Sequence, residues 1–125
     1  MFDRRKFVRF RVPENEFNLI CQNSSTIGWL KDIGYHGLSY EYFADEKRHA
    51  ELEEIGIFSN TNRGVFIQGL TCKVVYDIKS EEAPGSYSVF NSRLRGLKYK
   101  TLTNGQMDRL VYLINRINVK STEIV

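Results

Sequence analysis

The chain has 125 residues, 42% of them hydrophobic and 26% charged, with two cysteines. That is the size and composition of one ordinary globular domain with a core of its own. It excludes a disordered chain, a disulfide-stapled scaffold and a chain with an apolar run long enough to span a bilayer as a helix. The net charge of +3 is concentrated at one end, because the first eleven residues hold Arg4, Arg5, Lys6, Arg9 and Arg11 against a single acid, Asp3.

A diffuse basic surface would fit a long polyanion. A basic arm on a nearly neutral body fits one local anionic partner. Four of the five cations are arginines, whose planar forks grip phosphates and guanine edges and stack on flat rings. The bland alternative is a solvated tail. Against it, Phe7, Val8, Phe10 and Val12 interleave with the charges and give the arm apolar anchors that a tail does not need. No apolar stretch of signal-peptide type follows the charged start, so a soluble, cytoplasmic protein is expected.

Pro13-Glu14-Asn15 ends the arm with a turn signal, which divides the chain into an arm, residues 1–12, and one domain, residues 13–125. Eight Phe, seven Tyr and one Trp, many in alternating runs, favour β structure. Strands are predicted over Glu16 to Gln22, Thr26 to Ile33 and Leu38 to Phe43. The charged stretch Ala44 to Glu54 reads as a connection. Glu54 to Ser59 and Gly64 to Ile78 then flank the turn signal at residues 60–64, and Tyr87 to Tyr99 follows a loop over Lys79 to Gly85. Cys21 and Cys72 each fall in a predicted strand without metal-ligand spacing, and read as small buried hydrophobes in a reducing compartment. A disulfide between them stays open at this point.

Thr103-Asn104-Gly105-Gln106 has the form of a capping box, and Met107, Leu110, Val111, Ile114 and Ile117 recur at helical spacing. A terminal helix over about 103–118 is expected to lay this stripe on the β body. The order is basic arm, about six antiparallel strands, helix. A sheet of that size closes into a small barrel rather than leave its edges open.

The second informative segment is Asp32-Ile33-Gly34-Tyr35-His36-Gly37. A carboxylate accepts hydrogen bonds from the N1 and N2 groups of guanine, arginine suits the opposite edge, and glycines let backbone approach a ligand closely. Taken alone, Asp-x-Gly-x-x-Gly is also what a structural β-turn looks like. Together with the arm, the segment resembles the PilZ domain family. Its signature is R-x-x-x-R, often with a further Arg in front, and then [D/N]-x-S-x-x-G. Arg4-Arg5-Lys6-Phe7-Val8-Arg9 matches the first part and Asp32 to Gly37 the second. Arg95-Gly96-Leu97-Lys98-Tyr99 and Leu102 to Ile117 look like the family's last strand and helix.

The resemblance implies a six-stranded antiparallel β-barrel with a C-terminal helix. It also implies a receptor for the bacterial second messenger cyclic di-GMP that acts as a stand-alone adaptor and needs no cofactor or metal. Its partner would be an effector protein of motility, pili or exopolysaccharide. By position, Arg4, Arg5, Arg9, Asp32, Gly34 and Gly37 would meet the ligand, with His36 and Arg95 as further candidates. The family's arm is mobile and folds over its ligand. Gly34 departs from the signature. The family has serine there with its hydroxyl on the ligand, so Gly34→Ser is expected to restore a contact.

Two other classes stand beside this one. The first is a PilZ-like protein-interaction adaptor that binds no ligand. The second is a nucleic-acid-binding barrel using Phe7, Phe10 and Trp29 as stacking platforms, which the near-neutral body disfavours. The lack of any recognisable constellation around His36 or His49, and of Walker, zinc or nucleophile-elbow patterns, speaks against an enzyme.

Overall fold

The computed structural model describes residues 8–14, 16–22, 26–44, 50–60, 64–80 and 92–120. It contains β1 (Arg9–Arg11), β2 (Phe17–Cys21), β3 (Thr26–Gly34), β4 (Gly37–Phe43), β5 (Leu52–Ser59), β6 (Gly64–Lys79), β7 (Ser92–Thr101) and α1 (Asn104–Lys120). Strands β3, β2, β5, β6, β7 and β4 pair in that order, and β3 pairs again with β4, which closes a six-stranded antiparallel barrel. The predicted strands between residues 16 and 78 match β2 to β6. Residues 87–91, assigned to the start of the last strand, lie outside the described residues, as do the predicted turn at 23–25 and the tip at 61–63.

β1 is the element the strand pattern did not anticipate. It falls inside the arm and joins the barrel without being one of its six staves. β2 pairs with the first part of β3, Thr26 to Trp29, and β1 with the last part, Asp32 to Gly34. β4 runs along the opposite edge, so β1 and β2 lie end to end on one edge of β3. Phe10 packs against the core and Val12 is buried within it. Val12 N–H also donates to the Lys31 carbonyl at 2.9 Å. Phe10 and Val12 therefore seat the arm's last residues on the barrel, while Val8 is exposed and Phe7 lies outside the described residues.

Period-two burial fills the interior. Phe17, Leu19 and Cys21 point inward from β2, Leu38, Tyr40 and Tyr42 from β4, and Leu97 and Tyr99 from β7. Both cysteines are buried, unbridged thiols. Cys21 Sγ lies 3.1 Å from the Tyr40 hydroxyl, and burial pushes the Cys72 thiol up to about 12.

The capping box forms as read. Gln106 N–H donates to Thr103 Oγ1 at 3.1 Å, and Thr103 N–H to Gln106 Oε1 at 3.0 Å. The Gln106 amide also donates to the carbonyls of Gln68 and Gly69, at 2.9 and 3.1 Å, which fastens the start of α1 to β6. Gly69 has φ +66°, a backbone state glycine adopts without steric cost. The buried face of α1 is Leu110, Leu113, Ile114 and Ile117. It is rotated from the expected stripe, for Met107 is exposed and Val111 only half-buried. None of the helices searched among the described residues is long and apolar enough to cross a membrane.

Candidate functional site

β3 and β4 form a hairpin whose tip is Tyr35-His36, both exposed. Asp32 lies two residues before the hairpin's last β3 residue, Gly34, and Gly37 opens β4. β1 runs beside them in the register Arg9↔Gly34, Phe10↔Ile33 and Arg11↔Asp32. That register brings the two halves of the sequence signature together. Arg9 Nη1 donates to Asp32 Oδ1 at 3.2 Å, and the pair is mostly shielded, its side chains 16% and 12% exposed. The contact uses one nitrogen of a guanidinium that carries five N–H donors.

The two glycines matter for space, since neither has a positive φ. A Cβ on Gly34 would stand 2.6 Å from the Val8 carbonyl oxygen and 3.2 Å from Arg9 Cγ. A Cβ on Gly37 would stand 2.3 Å from the Leu97 carbonyl oxygen and 3.2 Å from Arg9 Nη2. Gly34 lets β1 approach β3, and Gly37 lets β4 approach β7. The Arg9 side chain lies along both. The expected gain from Gly34→Ser therefore meets an obstacle, because a serine at 34 cannot enter without moving β1.

The structure adds a residue the sequence did not single out. Tyr99, on β7, is buried, and its hydroxyl donates towards the carbonyls of Gly34 at 3.0 Å and Gly37 at 3.4 Å. Its own N–H donates to the His36 carbonyl at 3.0 Å. Burial raises the phenol well above its ordinary value, so it stays a donor at neutral pH. Tyr99 thus braces the hairpin from beneath. The only sequence signal was its place in the last strand, since the pairing that sets β7 against β4 is long-range.

The other candidates are distributed as follows. Arg4 and Arg5 lie outside the described residues. His36 sits at the exposed hairpin tip. Arg95 is fully buried inside the barrel, apart from the Arg9–Asp32 pair. Its Nη1 donates to Glu53 Oε1 at 2.6 Å and its Nε to Asp77 Oδ2 at 2.8 Å, while its guanidinium lies 5.2 Å from the centre of the Tyr42 ring. Arg93 Nε reaches the other Asp77 oxygen at 2.5 Å, and the Tyr42 hydroxyl donates to Asp77 as well. Arg95 is thereby assigned to the interior of the barrel.

No protein-family model matches this chain, and no curated protein matches it. Solved structures do. The PilZ domain of YcgR from Escherichia coli, determined with c-di-GMP, superposes with a TM-score of 0.70 at 13% identity, over 94% of each chain. The Bacillus subtilis inhibitor of motility, MotI/DgrA, gives 0.63 at 16% identity over 96% of this chain and 53% of that one. YcgR from Escherichia coli in complex with c-di-GMP gives 0.65 at 13% identity over 94% of this chain and 47% of that one. The chain therefore spans about half the length of the latter two. With the closed six-stranded barrel and its terminal helix, these superpositions show that the chain has the fold of a PilZ domain.

Proposed function

We propose that the protein is a receptor for cyclic di-GMP that passes the signal to a partner protein. The observation that carries this reading is the meeting of Arg9 with Asp32 beside Gly34 and Gly37, on the fold of a PilZ domain. Two segments chosen from the sequence for guanine and phosphate chemistry, more than twenty residues apart, converge on one hairpin. Asp32 supplies acceptors for a guanine edge, and Arg9 supplies donors for phosphate or the opposite edge. Arg5, four residues earlier and so the first arginine of the R-x-x-x-R pattern, and Arg4 beside it bring further positive charge to the arm.

Titration calorimetry with cyclic di-GMP tests the reading, using wild type, Arg5→Ala, Arg9→Ala and Asp32→Ala at fixed salt. Wild type should bind, and each arginine variant should bind more than about tenfold more weakly, the cost of losing a charge-assisted hydrogen bond. Arg9→Lys should recover little, since an ammonium lacks the fork. Wild-type binding undiminished in both arginine variants would reject the site. No wild-type binding at all would favour the adaptor that takes no ligand. A steep salt dependence with a single-stranded oligonucleotide would favour the nucleic-acid barrel.

A further inference from the structure

We infer that Gly34 is a positioning residue for Arg9: its missing side chain is what seats β1 on β3 and delivers the guanidinium to Asp32 and Gly37. The inference rests on the ligand-binding reading for its functional consequence, though not for its structural one. It also gives Gly34→Ser the opposite sign from the one expected by analogy.

Arg9 and Gly34 are directly opposed in the β1–β3 pairing. At 2.6 Å from Val8 O, an added Cβ meets backbone, which cannot rotate away as a side chain does. β1 is only three residues long, so there are few ladder bonds to resist displacement. Phe10 against the core, Val12 within it and the Val12 bond to Lys31 anchor the segment C-terminal to Arg9. A side chain at 34 therefore lifts the segment from its Val8–Arg9 end and leaves the far end attached. The first group to leave its place is Arg9. The three atoms nearest its absent Cβ all belong to Val8 and Arg9, so an added side chain meets the arm first.

Three measurements test the inference. In wild type without ligand, nuclear Overhauser contacts should join the Gly34 α-protons to Arg9. Their absence overturns it. Amide exchange in the segment from Arg9 to Val12 should be about tenfold faster in Gly34→Ala and Gly34→Ser than in wild type, with β5 to β7 unchanged. Equal exchange in that segment overturns the inference whether or not any ligand binds. With cyclic di-GMP, Gly34→Ala and Arg9→Ala should each weaken binding, and the double variant should bind no worse than Arg9→Ala alone, because the first acts through the second. Additive losses, or tighter binding by Gly34→Ser, overturn it. Absence of wild-type binding strikes the ligand reading alone and leaves the contact and exchange measurements to decide.

Discussion

Two arginine–carboxylate assemblies share this barrel, and their chemistry is the same while their settings differ. Arg95, Arg93, Asp77 and Glu53 sit inside, on β5, β6 and β7, and Arg95 is wholly sealed from water. Arg9 and Asp32 sit at the hairpin, with the arginine on a three-residue strand near one end of the described chain. In the interior, every charge is held by long barrel strands and has a partner of opposite sign. Removing one leaves others stranded in low dielectric. At the hairpin the arginine is held through one nitrogen at 3.2 Å, on a three-residue strand outside the closed ring of six. Burial and anchoring, more than residue type, separate the two charge assemblies, and the proposed ligand role falls on the less anchored one.

The largest expected effect comes from breaking the interior. Arg95→Ala leaves Glu53 and Asp77 without their shared cation and should cost about 3–5 kcal/mol of stability, measured by urea unfolding. Arg95→Lys should recover only part, because one ammonium cannot bridge two carboxylates as the fork does. A loss within 1 kcal/mol, on the order of a surface pair, would erase the contrast.

At the hairpin the same substitution should divide differently. Arg9→Ala should cost less unfolding stability than Arg95→Ala, about 1–3 kcal/mol for a shielded partner left short of a hydrogen bond, and reduce cyclic di-GMP binding by about 1.5–3 kcal/mol. Both are read on one preparation, by urea unfolding and calorimetry. A destabilisation as large as that of Arg95→Ala would make Arg9 a structural residue like its interior counterpart.

Acid sharpens the comparison next. Burial opposes ionisation of Asp77, but hydrogen bonds from Tyr42, Arg93 and Arg95 together outweigh it and hold the carboxyl below its ordinary value. A depressed folded-state value means the carboxylate stabilises the fold above the unfolded value, about 3.9, and that this stability is lost as the pH falls below it. Unfolding measured down through that range should show a downward slope in wild type that Asp77→Asn lacks. An equal slope in both would place the acid sensitivity elsewhere.

How much of this was legible in the sequence follows from the range of each interaction. The strands from β2 to β6, the capping box and the hairpin glycines are local patterns, and they stand close to where they were expected, whereas β1 was not anticipated. The stripe of α1 was rotated because Leu113 and Val111 are both apolar, and only the surface beneath chooses between them. Arg95 was a further candidate ligand contact within a segment that resembles the family's last strand. Its partners Glu53 and Asp77 lie 42 and 18 residues away, and nothing local reveals them. The glycines were read as a turn that lets backbone approach a ligand, whereas at Gly34 and Gly37 it is other segments of the chain that pass too close for a Cβ. Pairing across the barrel set each of these, and composition does not encode it.

Tyr99 gives the smallest effect and joins the two regions, since it is buried in the core yet holds the hairpin. Its hydroxyl donates to the Gly34 and Gly37 carbonyls, on either side of Tyr35-His36. Tyr99→Phe keeps the ring and the packing and removes only this donor. The net cost of such a bond is about 1 kcal/mol. Both carbonyls belong to the segment that carries the site, so the effect should be local. Amides of Tyr35 and His36 should exchange faster, while those of β5 and β6 around Glu53 and Asp77 keep their protection. If the loss spread evenly over the barrel, Tyr99 would belong to the interior alone. If hairpin exchange and stability both stayed at wild-type values, the hydroxyl would not brace the site.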